Sequence, residues 1–202
     1  MSAALQRVGM FGGAFDPPHR AHLALAQAAV RQLALDRLVV FPTGNAWHKD
    51  RTLTPAGDRL AMAKLAFAAL PAVQVDDREL RRTGPTYSVD TLRELQHEHP
   101  GATLHLLMGE DQAASFTRWH AWQEILRLAV LCVAGRGSGA GVQALQALPG
   151  ARVEVLQLPQ MPESATEIRT RLTRGQDITE LVEPAVARYI ETHHLYSTPD
   201  DD

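Results

Sequence analysis

Short apolar, β-branched runs alternate along this chain with longer stretches of helical period. Leu5 to Phe11 reads as a strand, followed by a Gly/Pro loop through Pro18. Arg20 to Leu35 is rich in Ala and Leu at helical spacing, and Arg37 to Phe41 is a second strand ended by Pro42. Thr54-Pro55 has the form of a helix start, with threonine as N-cap and proline at the first helical position. Val73 to Val75 is a short strand, and Ser88 caps a helix running to about His97. Thr103 to Met108, Leu128 to Val133 and Val153 to Leu156 are further strands. Ser164-x-x-Glu167 has capping-box spacing before a helix through Arg174, and Pro184 opens a last helix to His193.

Strands separated by helix-length segments predict right-handed βαβ crossovers. The fold class is therefore α/β: a doubly wound, mostly parallel sheet flanked by helices on both faces, Rossmann-like. The glycine-rich stretch Gly135 to Gly141 is the one linker-like segment, and because a strand and helices follow it, it reads as a surface loop. The 202 residues form one domain by length, no internal repeat is visible, and Asp200 to Asp202 is a solvated tail.

Composition is that of an ordinary globular chain, 45% hydrophobic and 21% charged. Twenty basic against 23 acidic residues give a formal charge of −3, which removes the electrostatic case for a nucleic-acid binder but leaves nucleotides open. The single cysteine, Cys132, has no internal disulfide partner and sits in an apolar run, so a buried thiol in a reducing compartment is expected. Arg7, Gly12 and Gly13 interrupt the N-terminal apolar stretch early, and no run approaches the roughly 20 residues of a membrane helix. A cytoplasmic chain without membrane partners follows as the expectation.

In such sheets ligands bind beyond the carboxyl ends of the strands, so the loop after the first strand carries most interest. It reads Gly12-Gly13-Ala14-Phe15-Asp16-Pro17-Pro18-His19-Arg20-Ala21-His22. Two glycines let backbone N–H groups approach an anion, and the helix N-terminus that follows adds partial positive charge. His19 and His22 lie on one face of that helix start, where imidazoles can donate to phosphate oxygens. The plain alternative is a tight glycine turn with two surface histidines. The glycines do not have GxGxxG spacing, and the chain holds no Gly-Lys dipeptide, so neither the dinucleotide fingerprint nor a P-loop is present. Asp16, His19 and His22 could ligate a metal, but no further His or Cys lies near them in sequence, and no protein metal site is assigned.

The segment GGAFDPPHRAH resembles the GGxFDPxHxGH element of the HxGH nucleotidyltransferases. Further segments are similar to one branch of that family, the bacterial nicotinate-nucleotide adenylyltransferases. Pro42 to Lys49 resembles the second-strand loop, Asp77 to Ser88 the DxELxRxxPSYT segment, and Met108 to Asp111 the GxD turn. Phe116 to His120 resembles the F-x-x-W segment, and Ser164 to Arg169 the S-x-T-x-x-R element. Six ordered matches over nearly the whole length are far more specific than any one of them. The chain departs from the pattern at Ala21, where glycine is usual, at Glu163, where an apolar residue is usual, and at Trp47, which precedes His48-Lys49 in place of proline.

The resemblance implies adenylyl transfer from ATP to nicotinate mononucleotide in NAD biosynthesis. It gives His19, His22 and Arg169 as catalytic groups, and Gly12, Gly13, Ala14, Phe15, Gly109, Asp111 and Thr166 with them on the ATP side. Asn45, Lys49, Thr86, Tyr87 and Trp119 fall on the mononucleotide side. Residues 160–196 are a C-terminal helical part completing the ATP site, and Mg²⁺ accompanies ATP, held mainly by phosphates and water. From the residues alone several readings stay open. Without the resemblance Arg169 reads first as an exposed helix arginine, and Asp111 as a helix cap, Lys49 as a loop lysine and Trp119 as a core residue stay open, because Phe116, Trp119 and Trp122 share helical spacing. Nicotinamide mononucleotide and, more remotely, phosphopantetheine are rival substrates. A class I aminoacyl-tRNA synthetase fragment lacks its KMSKS-like run here, and a non-catalytic nucleotide sensor would need no His19, His22 and Arg169 together.

Overall fold

The computed structural model describes residues 5–44, 53–135, 139–159, 161 and 163–196. The strands are β1 (Arg7–Gly13), β2 (Arg37–Pro42), β3 (Val73–Val75), β4 (Thr103–Gly109), β5 (Ala129–Ala134) and β6 (Val153–Leu156). All neighbouring pairs run parallel, in the order β3-β2-β1-β4-β5-β6. The chain direction across the sheet reverses between β1 and β4, which makes their carboxyl ends the expected ligand crevice.

Period-two alternation splits the apolar strands into two cores. Val8 and Met10 of β1, Leu104, Leu106 and Met108 of β4, and Leu131 and Val133 of β5 face one core. Phe11, Leu107, Val130 and Cys132 face the other. The first face is covered by α4 (Ser88–Glu98), α6 (Trp122–Leu128) and α7 (Ala140–Gln146) through Leu92, Ile125 and Val142. The second is covered by α1 (Arg20–Gln32), α2 (Ala56–Phe67), α8 (Ala165–Thr173) and α9 (Pro184–Thr192), through Ala26, Met62, Ile168 and Val186. Cys132 is fully buried, and burial pushes its thiol well above the usual range.

Tertiary contacts moved several boundaries. α2 starts at Ala56 with Pro55 as N-cap, so Thr54 lies one residue ahead of the cap, where its amide donates to Asp16 Oδ2 at 3.3 Å. α4 is capped by Tyr87 in extended conformation, so Ser88 is its first helical residue. Leu128 ends α6 rather than opening β5. The glycine-rich stretch becomes helical at Ala140, and α3 (Arg78–Arg81), α5 (Glu110–Ala114) and a 3₁₀ turn (Phe116–Arg118) carry no strong period in the sequence. Gly9 is required by packing: a Cβ there would lie 2.7 Å from both the Leu35 and Leu38 Cδ1 atoms.

Candidate functional site

β1 ends in Gly12-Gly13, and the chain then turns across the carboxyl edge of the sheet. Phe15 takes a left-handed φ of 47° and buries its ring edge-on against Phe11, Phe67 and the His22 imidazole. Arg59, buried on α2, holds this turn from beneath. Its Nη1 donates to the carbonyls of Ala14 (2.9 Å) and Thr43 (2.8 Å), and its Nε to that of Thr54 (3.0 Å). One guanidinium thus joins the loops after β1 and β2, a geometry that suits its planar fork.

α1 begins immediately beyond the turn, with His19 as its N-cap. The His19 N–H donates to His22 Nδ1 at 3.2 Å, which leaves the proton of a neutral His22 ring on Nε2. The two imidazoles lie 3.8 Å apart, centroid to centroid, at 32°. His19 is 7% exposed, and burial lowers its pKa to about 4, so it is neutral at physiological pH. Its Nδ1 is buried and has no hydrogen-bond partner among the described residues. Ser164 caps α8 by accepting from the Glu167 N–H at 3.1 Å. That sets Arg169 against the turn, where its Nη1 donates to the Asp16 carbonyl at 2.8 Å and its Nη2 to Thr166 Oγ1 at 3.2 Å.

Two cavities open from this loop. The larger, about 810 Å³, is lined by Gly12 to Phe15, His19, His22, Gly109, Thr166 and Arg169. The smaller, about 430 Å³, is lined by Thr86, Tyr87, Trp119 and Asp111 among others. Gly12, Gly13, Ala14 and Gln112 belong to both walls. Such a pair of cavities with a common glycine wall can hold two ligands whose reacting ends meet beside the histidines.

Residues 10–171 match the family model described as cytidylyltransferase-like. The chain is 53% identical, over 96% of its length and 100% of the relative's, to the "probable nicotinate-nucleotide adenylyltransferase" of Albidiferax ferrireducens. It is 41% identical to the protein so named in Methylibium petroleiphilum, over 98% of this chain and 97% of that one. The chain belongs to the nicotinate-nucleotide adenylyltransferase family. Its fold is similar to that of the Plasmodium falciparum nicotinic acid mononucleotide adenylyltransferase. The TM-score is 0.79 for the structure complexed with APC and 0.76 for that with NaAD. Each match has 20% identity and covers 95% of this chain and 97% of the other.

Within this adenylyltransferase family member, the residues expected on the ATP side converge on the larger cavity, Asp111 excepted. Asp111 lies on α5 and lines the smaller one. Thr86, Tyr87 and Trp119 gather at the smaller cavity, whereas Asn45 and Lys49 lie outside the described residues. Trp119 is half-buried, 5.6 Å from the Phe116 ring, and lines the cavity as well. Phe116, Trp119 and Trp122 do not share one helix: the 3₁₀ turn ends before Trp119, and Ala121 takes a φ of 51° before α6 begins. The Thr86 hydroxyl is buried with no hydrogen-bond partner among the described residues.

Several wall residues were not picked out from the sequence. Gln112 accepts from the Gly109 N–H at 3.1 Å and stands between the cavities, and its only signal was the cap spacing to Gly109. Arg118 and His120 bring basic groups to the smaller cavity, and the His120 ring stacks on Tyr87 at 4.2 Å. Glu79 is 3% exposed, accepts from the Thr91 hydroxyl at 2.7 Å, and is pushed up to about 7 by burial. Its backbone explains Gly44, where a Cβ would run into the Glu79 carbonyl oxygen. Glu79, Arg118 and His120 lie inside the matched Asp77 to Ser88 and Phe116 to His120 segments, but those matches by themselves assign them no role. Ala21, the departure from the family pattern, lines the larger cavity.

Proposed function

We propose that this chain transfers the adenylyl group of ATP to nicotinate mononucleotide. A 5′-phosphate oxygen of the mononucleotide attacks the α-phosphorus, the bond to the β-phosphate oxygen breaks, pyrophosphate leaves, and nicotinate adenine dinucleotide forms. The observation that carries this reading is the Gly12-Gly13-Ala14 wall common to both cavities, with His19 and His22 at the larger one. ATP fits the larger cavity with its phosphates toward the histidines, and the mononucleotide fits the smaller one with its ring toward Trp119.

The step needs no covalent enzyme intermediate, so catalysis rests on positioning and on charge stabilisation. His22 offers its Nε2–H to a phosphate oxygen. His19 lines the same cavity beside His22, and contact of its ring with phosphate would draw a proton to the imidazole, opposing the effect of burial. Arg169 and Thr166 face the departing pyrophosphate, which makes residues 160–196 the part that completes the ATP site. Among the described residues no three His, Cys, Asp or Glu side chains converge as a metal cage. We assign Mg²⁺ to the phosphates and water, where it would neutralise charge on the leaving pyrophosphate. Trp119 offers a flat face to the pyridine, while Thr86 and Tyr87 border its substituent.

No described helix is long and apolar enough to cross a membrane. We read the chain as a cytoplasmic enzyme acting on small nucleotides, with no nucleic-acid partner. Product analysis with ATP-Mg²⁺ and each mononucleotide separately tests the reading. Nicotinate adenine dinucleotide is expected as the main product; formation of only the nicotinamide dinucleotide, or of neither, would overturn it.

A further inference from the structure

Asp16 stands between the glycines and His19, and it is 1% exposed. Tyr196 Oη donates to its Oδ1 at 2.6 Å, and the Thr54 N–H donates to its Oδ2 at 3.3 Å. Arg169 donates to its backbone carbonyl at 2.8 Å. On the other side of His19, the Arg20 N–H donates to the Leu181 carbonyl at 2.9 Å. Both flanks of the histidine are thus held by the C-terminal segment, Arg169 and Tyr196 reaching back 153 and 180 residues.

Tyr196 is built to hold this contact. Its backbone φ is 65°, a left-handed conformation that a bulky residue keeps only where its surroundings impose it. Burial and the Asp16 carboxylate both push its phenol well above the ordinary range, so the hydroxyl stays a donor. A buried carboxylate deprived of such a donor relaxes toward other partners, and the loop that carries it relaxes with it.

We propose that Tyr196 is a positioning residue: through the Asp16 carboxylate, the C-terminal segment holds the histidine-bearing loop in its reactive geometry. The inference rests on the adenylyl-transfer reading above. Loss of the hydroxyl should act on the chemical step, because misplacement by about 1 Å can cost on the order of 10²-fold in rate.

The test compares Tyr196→Phe with Tyr189→Phe. Tyr189 Oη donates to Asp58 Oδ1 at 2.9 Å, a bond of the same kind from the same segment that ends on α2 rather than on a residue of the loop. Tyr196→Phe is expected to lower kcat roughly 10- to 100-fold with both KM values changed less than about three-fold, while Tyr189→Phe leaves kcat within about two-fold. Asp16→Asn carries the test from the other end of the bond. The double variant Asp16→Asn/Tyr196→Phe should be no slower than its slower parent by more than about two-fold, because the two residues act as one unit. Thermal unfolding checks that each variant is folded at the assay temperature. A Tyr196→Phe kcat within about two-fold of wild type, an equal loss in Tyr189→Phe, or multiplying losses in the double variant would each overturn the inference. Imidazole ¹⁵N spectra give an arm independent of activity: the His22 resonances should shift in Tyr196→Phe and stay in place in Tyr189→Phe. A wild-type chain that forms no dinucleotide would remove the functional reading, and the spectra would still decide whether Tyr196 holds the loop.

Discussion

The His19 N–H donates to His22 Nδ1 at 3.2 Å, so one catalytic candidate orients the other. The bond selects the His22 tautomer that carries its proton on Nε2. His22→Ala should lower kcat by roughly 10²–10³, the scale for losing one preorganised donor, with much smaller weakening of ATP binding. Steady-state kinetics and ATP titration measure both. A turnover unchanged within a few-fold would remove His22 from the mechanism.

Trp119 both packs on Phe116 and lines the smaller cavity, so its replacement separates two roles. If its face stacks on the pyridine, Trp119→Ala raises KM for nicotinate mononucleotide by about five- to 150-fold, as expected for a stack of about 1–3 kcal/mol. KM for ATP should hardly move. Equal loss of both affinities, or a melting temperature below the assay range, would assign Trp119 to the core instead.

Ala21 lies in the first turn of α1 and lines the larger cavity, where the family usually has glycine. Alanine is preferred over glycine by about 1 kcal/mol in helix interiors, so Ala21→Gly should lower thermal stability slightly. The change in kcat/KM for ATP should stay below about three-fold, under half of the 1.4 kcal/mol that separates tenfold rates. A ten-fold gain on the variant would show that the methyl group obstructs ATP.

His19 and Glu79 act oppositely on stability as pH falls. Burial lowers His19 from its ordinary 6.5 to about 4, so between those values the unfolded chain binds the proton and the folded chain does not. Stability from this source is complete above 6.5 and is lost progressively down to about 4, by up to about 3 kcal/mol. Glu79 is raised from 4.5 to about 7, so the folded chain binds its proton more tightly, and stability from it is lost as pH rises through that window. Urea unfolding of Glu79→Gln at pH 5 and pH 8 separates them. The variant should lose more stability than wild type on going from pH 8 to pH 5. An identical pH dependence in both proteins would show that Glu79 is ionised alike in folded and unfolded states.

The parallel α/β architecture was legible because strand-length apolar runs and helical periods alternate through the chain. Buried parallel strands such as Leu106 to Met108 must be apolar on both faces, and that requirement is written locally. The glycine loop with His19 and His22 was legible for a similar reason. Close backbone approach and a helix N-terminus need particular residues at fixed spacing. Helix starts were less legible by a residue: the cap of α2 falls on Pro55 rather than Thr54, and that of α4 on the extended Tyr87 rather than Ser88.

The sequence by itself therefore determined the sheet, the glycine loop that leads into α1 and, through ordered motif matches, the family. Tertiary structure alone decided that Arg59 joins the loops after β1 and β2, that Gln112 stands between the two cavities, and that Asp111 faces the smaller one. It also decided that Tyr196 reaches back to Asp16. The physical reason is range. Periodicity and capping arise from neighbours a few residues apart, whereas a buried arginine or tyrosine takes its role from carbonyls and carboxylates that only the completed fold brings within 3 Å.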